Sequence, residues 1–263
     1  MTLGLRRQAK WPFPPGVGAD EHLGESLRIL RTKWGEVPGG EQTRVRSEDL
    51  LKVSDSELLR IWNAALAESS TGAAYSVRGW YHTLYSDVFR GKKVLEIGSG
   101  LGFDGITFAK NGAEWTFVDI IASNLEVVKR LCRLQGVDKA RFCLMDDLRS
   151  LDDLPTDYAA IYAQGSLINL PVEAARVEAK ALLEHLPVGG RWIELAYPHR
   201  RWTHDGRPRF DKWGEKTDGG APWIEWHDLK KIREFLAPAQ FDVVFTLDFH
   251  KYDFNWFDLI RRA

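Results

Sequence analysis

The chain has 263 residues, 44% hydrophobic and 28% charged, which is ordinary for a soluble globular protein with one sizeable core and a smaller appendage. A formal net charge of −1 supplies no global field for nucleic acid or an anionic membrane, and no run approaches the roughly 20 apolar residues of a membrane span. The expected partner is therefore a small molecule, the expected location the cytoplasm, and the expected state a monomer or small homo-oligomer.

Residues 1 to about 46 are rich in glycine, proline and charge, and "WPFPPGVG" and "VPGG" show no sustained period. They read as an arm laid over the body or a partly disordered tail. From Ser54 the pattern changes. Ser54 is an N-cap candidate with Glu57 three residues on, and Leu58, Ile61, Trp62 and Leu66 share one helical face. A second helix, "AAYSVRGWYHTLYSDVF", runs toward Gly91, which suits a C-terminal glycine cap. Residues 1–90 thus read as an arm and helical cap ahead of a main domain, 91–263.

From Lys92 onward β-rich runs alternate with helical patterns: "KKVLEI", "EWTFVD", "RFCLM", "YAAIYA" and "RWIELAY" are the strand candidates. Such alternation implies a parallel sheet covered by helices on both faces. At the end, "FDVVFTLDFH" and "NWFDLIRR" lie too close for a crossover helix and should form an antiparallel hairpin. The expected fold is α/β: a doubly wound, seven-stranded, mostly parallel sheet with an antiparallel C-terminal hairpin and a helical N-terminal cap. Cys132 and Cys143 have no metal-ligand spacing and are expected to be reduced and buried; no carboxylate cluster has a metal spacing, so no metal is expected.

Chemistry concentrates first in "VLEIGSGLGFDG". Gly98, Gly100 and Gly102 are spaced GxGxG, whereas a dinucleotide fingerprint would need glycine at Phe103, and a P-loop would need a Gly-Lys pair followed by Ser or Thr. Glu96, at the end of the strand, would repel a polyphosphate and welcome a cationic ligand.

With "VLEIGSGLG" at the end of its first strand, the chain from about Lys92 to Ala263 resembles the class I S-adenosylmethionine-dependent methyltransferases, which have a Rossmann-like fold and whose terminal hairpin closes the sheet. The resemblance implies S-adenosylmethionine as cofactor, with the loop at Gly98, Ser99, Gly100 and Gly102 approaching its methionine portion and ribose. It implies that Asp119, followed by Ile120, accepts from the ribose hydroxyls, that Asp146 accepts from the adenine amine, and that the Asp147 backbone donates to the ring. The Ala163–Gln164 backbone would accept from the cofactor's amino group, with the chain turning at Gly165. Tyr75 and Arg78 are candidates for its carboxylate end. Relatives often carry a histidine where this chain has Asn169, so that role does not carry over.

The insertion at 197–227 is expected to face the methyl group, because loops at the carboxyl ends of parallel strands supply specificity. Of the chain's 11 tryptophans it holds Trp202, Trp213, Trp223 and Trp226, beside Tyr197, Arg200 and Arg201. Indole faces packing on sugar C–H faces make a carbohydrate the expected acceptor. A hydroxyl acceptor benefits from a base, for which His199 is first candidate, then His204 and His227, with His82 a distant fourth. The insertion and helical cap also resemble those of actinobacterial sugar O-methyltransferases, such as act in mycobacterial methylmannose polysaccharide synthesis. The alternatives are a natural-product or isoprenoid methyltransferase, and a non-catalytic S-adenosylmethionine-binding module.

Overall fold

A computed structural model describes residues 19–39, 44–70 and 75–263 of the chain. Its first element is a helix, α1 (Ala19–Lys33), where the sequence shows no sustained period. Leu23, Leu27 and Leu30 nevertheless stand at helical spacing and are buried. Three apolar positions between Gly/Pro-rich stretches are too short a signal to stand out, and packing against a later helix stabilises what propensity alone leaves marginal. A two-stranded ribbon, β1 (Glu36–Pro38) and β2 (Arg44–Arg46), leads into α2 (Ser47–Leu50), α3 (Asp55–Ser70) and α4 (Tyr75–Phe89). Ser54 caps α3 as its position suggests, its Oγ accepting from the Glu57 N–H at 3.2 Å. Gly91 follows α4 with φ +68°, the left-handed region that glycine occupies without a Cβ penalty.

The alternating segment builds β3 (Lys93–Ile97), α5 (Phe103–Lys110), β4 (Glu114–Asp119), α6 (Ala122–Gln135), β5 (Ala140–Leu144), β6 (Ala160–Gln164), α7 (Val172–Leu183) and β7 (Arg191–Ala196). Two short helices, α8 (His199–His204) and α9 (Phe210–Thr217), occupy the insertion, and α10 (Leu229–Leu236) precedes the hairpin β8 (Phe241–Phe249) and β9 (Phe254–Arg261). The seven main strands lie in the order β5-β4-β3-β6-β7-β9-β8. β3 to β7 pair in parallel, while β9 runs antiparallel to both β7 and β8.

Apolar side chains pack on both faces of the sheet, one layer joining α1, α7 and α10 and the other α3, α4, α5 and α6. This is the doubly wound arrangement expected. Strand order reverses between β3 and β6, so the helices that follow those two strands leave toward opposite faces and a crevice opens beyond their carboxyl ends. Within this frame Gly105 lets α5 press onto the sheet: a Cβ there would sit 2.3 Å from Phe117 and 2.7 Å from Glu96 Oε2.

Candidate active site

A cavity of about 640 Å³ opens at this crevice, walled by the glycine loop, the carboxyl ends of β4 and β6, α1, the ribbon, the insertion and the tip of the β8–β9 hairpin. Its glycine wall is backbone. Gly98 has φ +75°, and a Cβ would lie 2.6 Å from Ser166 Cβ, so no other residue fits between the two loops without displacement. Gly100 has φ +54° with open space where a Cβ would project, and its N–H donates to Asp119 Oδ2 at 3.0 Å. Gly102 has φ +67°, and Trp62 Nε1 from α3 donates to the neighbouring Leu101 carbonyl at 2.9 Å, fixing the loop from outside.

Asp119 is buried at the end of β4 and lines the cavity with Ile120. Its Oδ1 accepts from the Ile121 N–H at 2.9 Å, and the Asn124 side chain donates to both oxygens at 3.3 Å. Burial pushes its carboxyl up to about 6, against the lowering effect of those donors. Together with Gly100 these donors occupy the carboxylate's roughly four lone-pair sites, two of them through the single shared Asn124 amide at 3.3 Å, the longest of the set and the one a ligand hydroxyl would displace. Ser123, in the first turn of α6, shares a hydrogen bond with Ser47 at 2.7 Å. Arg78, Gln164 and Gly165 line the same cavity. Arg78 is anchored by Asp104, and its guanidinium lies over the Phe103 ring at 5.3 Å. Tyr75 begins α4, but its side chain lies outside the described residues.

Several expected cofactor contacts are corrected. Glu96 does not line the cavity: it is buried against α5, where Trp115 Nε1 donates to it at 2.8 Å. Burial, reinforced by the nearby Asp104 charge, holds its carboxyl well above the usual range. Asp146, expected at the adenine, is 78% exposed, and Arg31 of α1 takes its backbone carbonyl at 2.6 Å. Asp147 instead caps a 3₁₀ turn, accepting from the Arg149 N–H at 2.9 Å. It is Met145, one residue earlier and buried, that reaches the cavity. Ser99, Gly102 and Ala163 support the wall from behind, Ser99 donating to the Val118 carbonyl at 3.2 Å.

The second half of the cavity is made of side chains from four separated segments. Tyr197, just past β7, donates its hydroxyl to Asp218 at 3.0 Å. Arg44 of the ribbon stands 3.8 Å from Asp218 and 5.6 Å from the Trp34 ring centroid. Arg201 lies 4.0 Å over the Tyr197 ring and donates to the Asp253 carbonyl at 3.0 Å. His250 and Asp253, from the hairpin tip, complete this wall, with His250 Nδ1 3.2 Å from Asp253 Oδ2. None of Trp34, Arg44, Asp218, His250 and Asp253 stands in a pattern that marks it in the sequence.

The insertion behaves otherwise than its composition suggests. Trp202, Trp213, Trp223 and Trp226 do not line the cavity. Trp213 is fully buried with Nε1 donating to Asp205 at 2.8 Å; Trp202 donates to the Pro208 carbonyl at 2.8 Å; Trp223 meets Phe210 edge to face; Lys231 Nζ sits 3.5 Å over Trp226. These indoles glue the insertion to itself and to α10, because their large apolar area is best buried within the cap. The histidines are corrected in the same way. His199 is exposed and packs on Trp226, His204 is 89% exposed, and His227 is fully buried with Nδ1 2.6 Å from Glu194. His82 is buried with Nε2 2.7 Å from Asp104. None of the four lines the cavity. Arg200 is exposed and stacks 3.5 Å over Tyr252, leaving Tyr197 and Arg201 as the insertion's expected residues that do reach the cavity.

Cys132 is buried and Cys143 half-buried; both are free thiols, and burial pushes Cys132 up to about 12. Among the described residues, no group of three or more His, Cys, Asp or Glu side chains could hold a metal ion, and no helix is long and apolar enough to cross a membrane.

The sheet order and terminal hairpin define a Rossmann-like methyltransferase fold. No family model matches the chain, and no curated protein matches it in sequence. Among solved structures it is similar to geranyl diphosphate methyltransferase in complex with GPP and sinefungin, at TM-score 0.60 and 13% identity over 91% of this chain and 100% of that one. Magnesium protoporphyrin IX methyltransferase (ChlM) from Synechocystis PCC 6803 with bound SAH matches at TM-score 0.58 and 17% identity, covering 90% of this chain and 100% of that one. A mutant of MtNAS in complex with S-adenosylmethionine matches at TM-score 0.55 and 13% identity, covering 82% of this chain and 70% of that one. At such identities the likeness is one of fold.

Proposed function

We propose that the chain binds S-adenosylmethionine in the crevice cavity and transfers its methyl group to a hydroxyl of a small acceptor. The observation that carries this reading is the Gly100–Asp119 pair: a buried carboxylate at the end of β4, tied to the glycine loop at 3.0 Å and lining the cavity. Asp119 would take the ribose hydroxyls, Ile120 and Met145 would flank the adenine, and Gly98 and Gly100 would pass close to the methionine portion. Arg78 would face the carboxylate, with Gln164 and Gly165 beside the amino group. When bound, the cofactor supplies a methyl group on a sulfonium, already a good leaving group, so the protein's task is proximity and alignment.

The neighbours of known structure support the cofactor, since they are complexes with SAH, sinefungin or S-adenosylmethionine. For the acceptor, the charged wall of Arg44, Asp218, Arg201 and Asp253 offers donors and acceptors suited to a polyhydroxylated molecule, and a sugar remains the first choice. The insertion's indoles no longer argue for it, because they face away from the cavity. An isoprenoid or other natural-product acceptor is favoured by a different observation, the apolar lining of Leu27, Leu30, Trp34, Val37 and Leu170. Asn169 gives no support to a purely binding role: it donates to the Gly165 carbonyl at 2.7 Å and so holds the turn beside the cavity.

Calorimetry with S-adenosylmethionine tests the cofactor, with binding expected at one site per chain. Transfer of labelled methyl to methyl mannoside, methyl glucoside, geraniol and geranyl diphosphate separates the acceptors. No binding of the cofactor overturns the reading as a whole, and transfer confined to the isoprenoids overturns the sugar.

A further inference from the structure

The hairpin tip carries a feature that the cofactor reading does not use. His250, Lys251 and Tyr252 all have left-handed backbones, with φ +52°, +57° and +71°. For residues with a Cβ each such conformation is strained, and three in succession persist where the surroundings over-determine them. Here the surroundings do. The Tyr252 N–H donates to the Phe249 carbonyl at 3.1 Å and the Asp253 N–H to the His250 carbonyl at 3.1 Å, while Arg200 clamps the Tyr252 ring and Arg201 the Asp253 carbonyl. This turn places an imidazole on the wall of the cavity.

The partner of that imidazole decides its tautomer. Asp253 Oδ2 lies 3.2 Å from Nδ1, and a carboxylate can only accept, so Nδ1 carries the hydrogen and Nε2 keeps its lone pair. No hydrogen bond to Nε2 from a described residue competes for it. The tip is also indexed to the crevice through contacts: Gly165 N–H bonds the Leu195 carbonyl of β7, Tyr197 follows that strand, and Arg201 bridges the Tyr197 ring to Asp253. His199, His204, His227 and His82 lack this combination of cavity access and an orienting carboxylate.

We propose that His250, oriented by Asp253, is the base that accepts the proton of the acceptor's hydroxyl. The assignment rests on the methyltransferase reading above. As the hydroxyl oxygen forms its bond to the methyl carbon, the carbon–sulfur bond breaks with its electron pair remaining on sulfur. The hydroxyl proton passes to His250 Nε2, so a sulfonium, an alcohol and a neutral imidazole become a thioether, an ether and an imidazolium, which Asp253 stabilises.

The test uses the full chain with S-adenosylmethionine and the four acceptors above. His250→Ala is expected to lower kcat on a hydroxyl acceptor by roughly 100-fold or more, with cofactor affinity within twofold of wild type and added imidazole restoring part of the rate. His250→Asn, which tolerates the left-handed turn, should show the same loss and so separates lost chemistry from a collapsed hairpin. Asp253→Asn, altering a positioning residue, should lower kcat less, and Asp253→Glu, which keeps a carboxylate for Nδ1, should retain more of the rate than Asp253→Asn. Either His250 variant retaining kcat within threefold of wild type overturns the proposal, as does His250→Ala that imidazole fails to rescue. Wild-type enzyme that binds the cofactor but methylates none of the hydroxyl acceptors, or only an alkene carbon of geranyl diphosphate, overturns the base while leaving the cofactor site standing. Absence of cofactor binding overturns both.

Discussion

The two halves of the cavity are built on different principles. The cofactor half is mostly main chain: three positive-φ glycines stand at alternate positions after β3, and a single carboxylate from the next strand holds the middle one, Gly100. The acceptor half is side chain, drawn from the ribbon, the insertion, the α9 terminus and the hairpin tip. A backbone site is local in sequence and tolerates little variation. A side-chain site can be assembled from distant segments, and its composition along the chain is a poor guide to which residues arrive.

The sharpest way to break this contrast is through the tryptophans. If the insertion's indoles belong to packing, Trp213→Ala should cost about 3–5 kcal/mol of stability in urea unfolding, with cofactor affinity unaltered in whatever fraction remains folded. A variant of undiminished stability that loses only acceptor binding would return the indole to the substrate site.

Glu178 offers a second probe. It lies on the buried face of α7 with Ala174, Ala175, Ala179 and Leu182, lines the cavity, and is pushed up to about 7 by burial. Its folded value exceeds the unfolded one near 4.5, so the stability linked to its bound proton is complete below pH 4.5 and is lost as pH rises through 7. That loss amounts to about 3 kcal/mol. Glu178→Met should flatten the pH dependence of the urea midpoint between pH 4 and 8; parallel profiles for variant and wild type would contradict the burial argument.

Asp119 tests the other half. Asp119→Ala should weaken S-adenosylmethionine binding by roughly 10- to 100-fold, the value of one or two hydrogen bonds to a charged acceptor. In wild type the affinity should fall as pH drops below about 6, where the carboxyl takes up its proton, by at most about tenfold per pH unit. An unchanged dissociation constant in the variant, or a flat profile between pH 5 and 7, would remove the ribose role. The smallest effect is expected at His204, whose side chain is 89% exposed: His204→Ala should leave both turnover and melting temperature within error, and a large loss of turnover would revive the original assignment.

How much was legible follows the same division. Helices α3 and α4, the parallel strands and the terminal hairpin all follow from periodicity, caps and connection lengths, because those signals act over a few residues. Helix α1 is not legible in the sequence, since its apolar stripe is short and it is held by packing against α7. At the site, Gly98, Gly100, Asp119, Ile120, Gln164 and Arg78, each a candidate from the sequence, line the cavity. Glu96 and Asp146 do not: nothing in the local spacing says that Trp115 turns one inward or that Arg31 draws the other's backbone under α1. Composition marks the insertion's histidines and indoles, but burial sorts them into core or solvent.

The amino-acid sequence by itself determined the sheet, its doubly wound order and the glycine crevice, because hydrophobic period, glycine position and chain connectivity are short-range constraints. The tertiary structure alone decided what faces that crevice from the other side. Arg44, Asp218 and His250 meet there across more than two hundred residues of chain, and such a meeting is set by how helices and hairpin pack rather than by any spacing along the sequence.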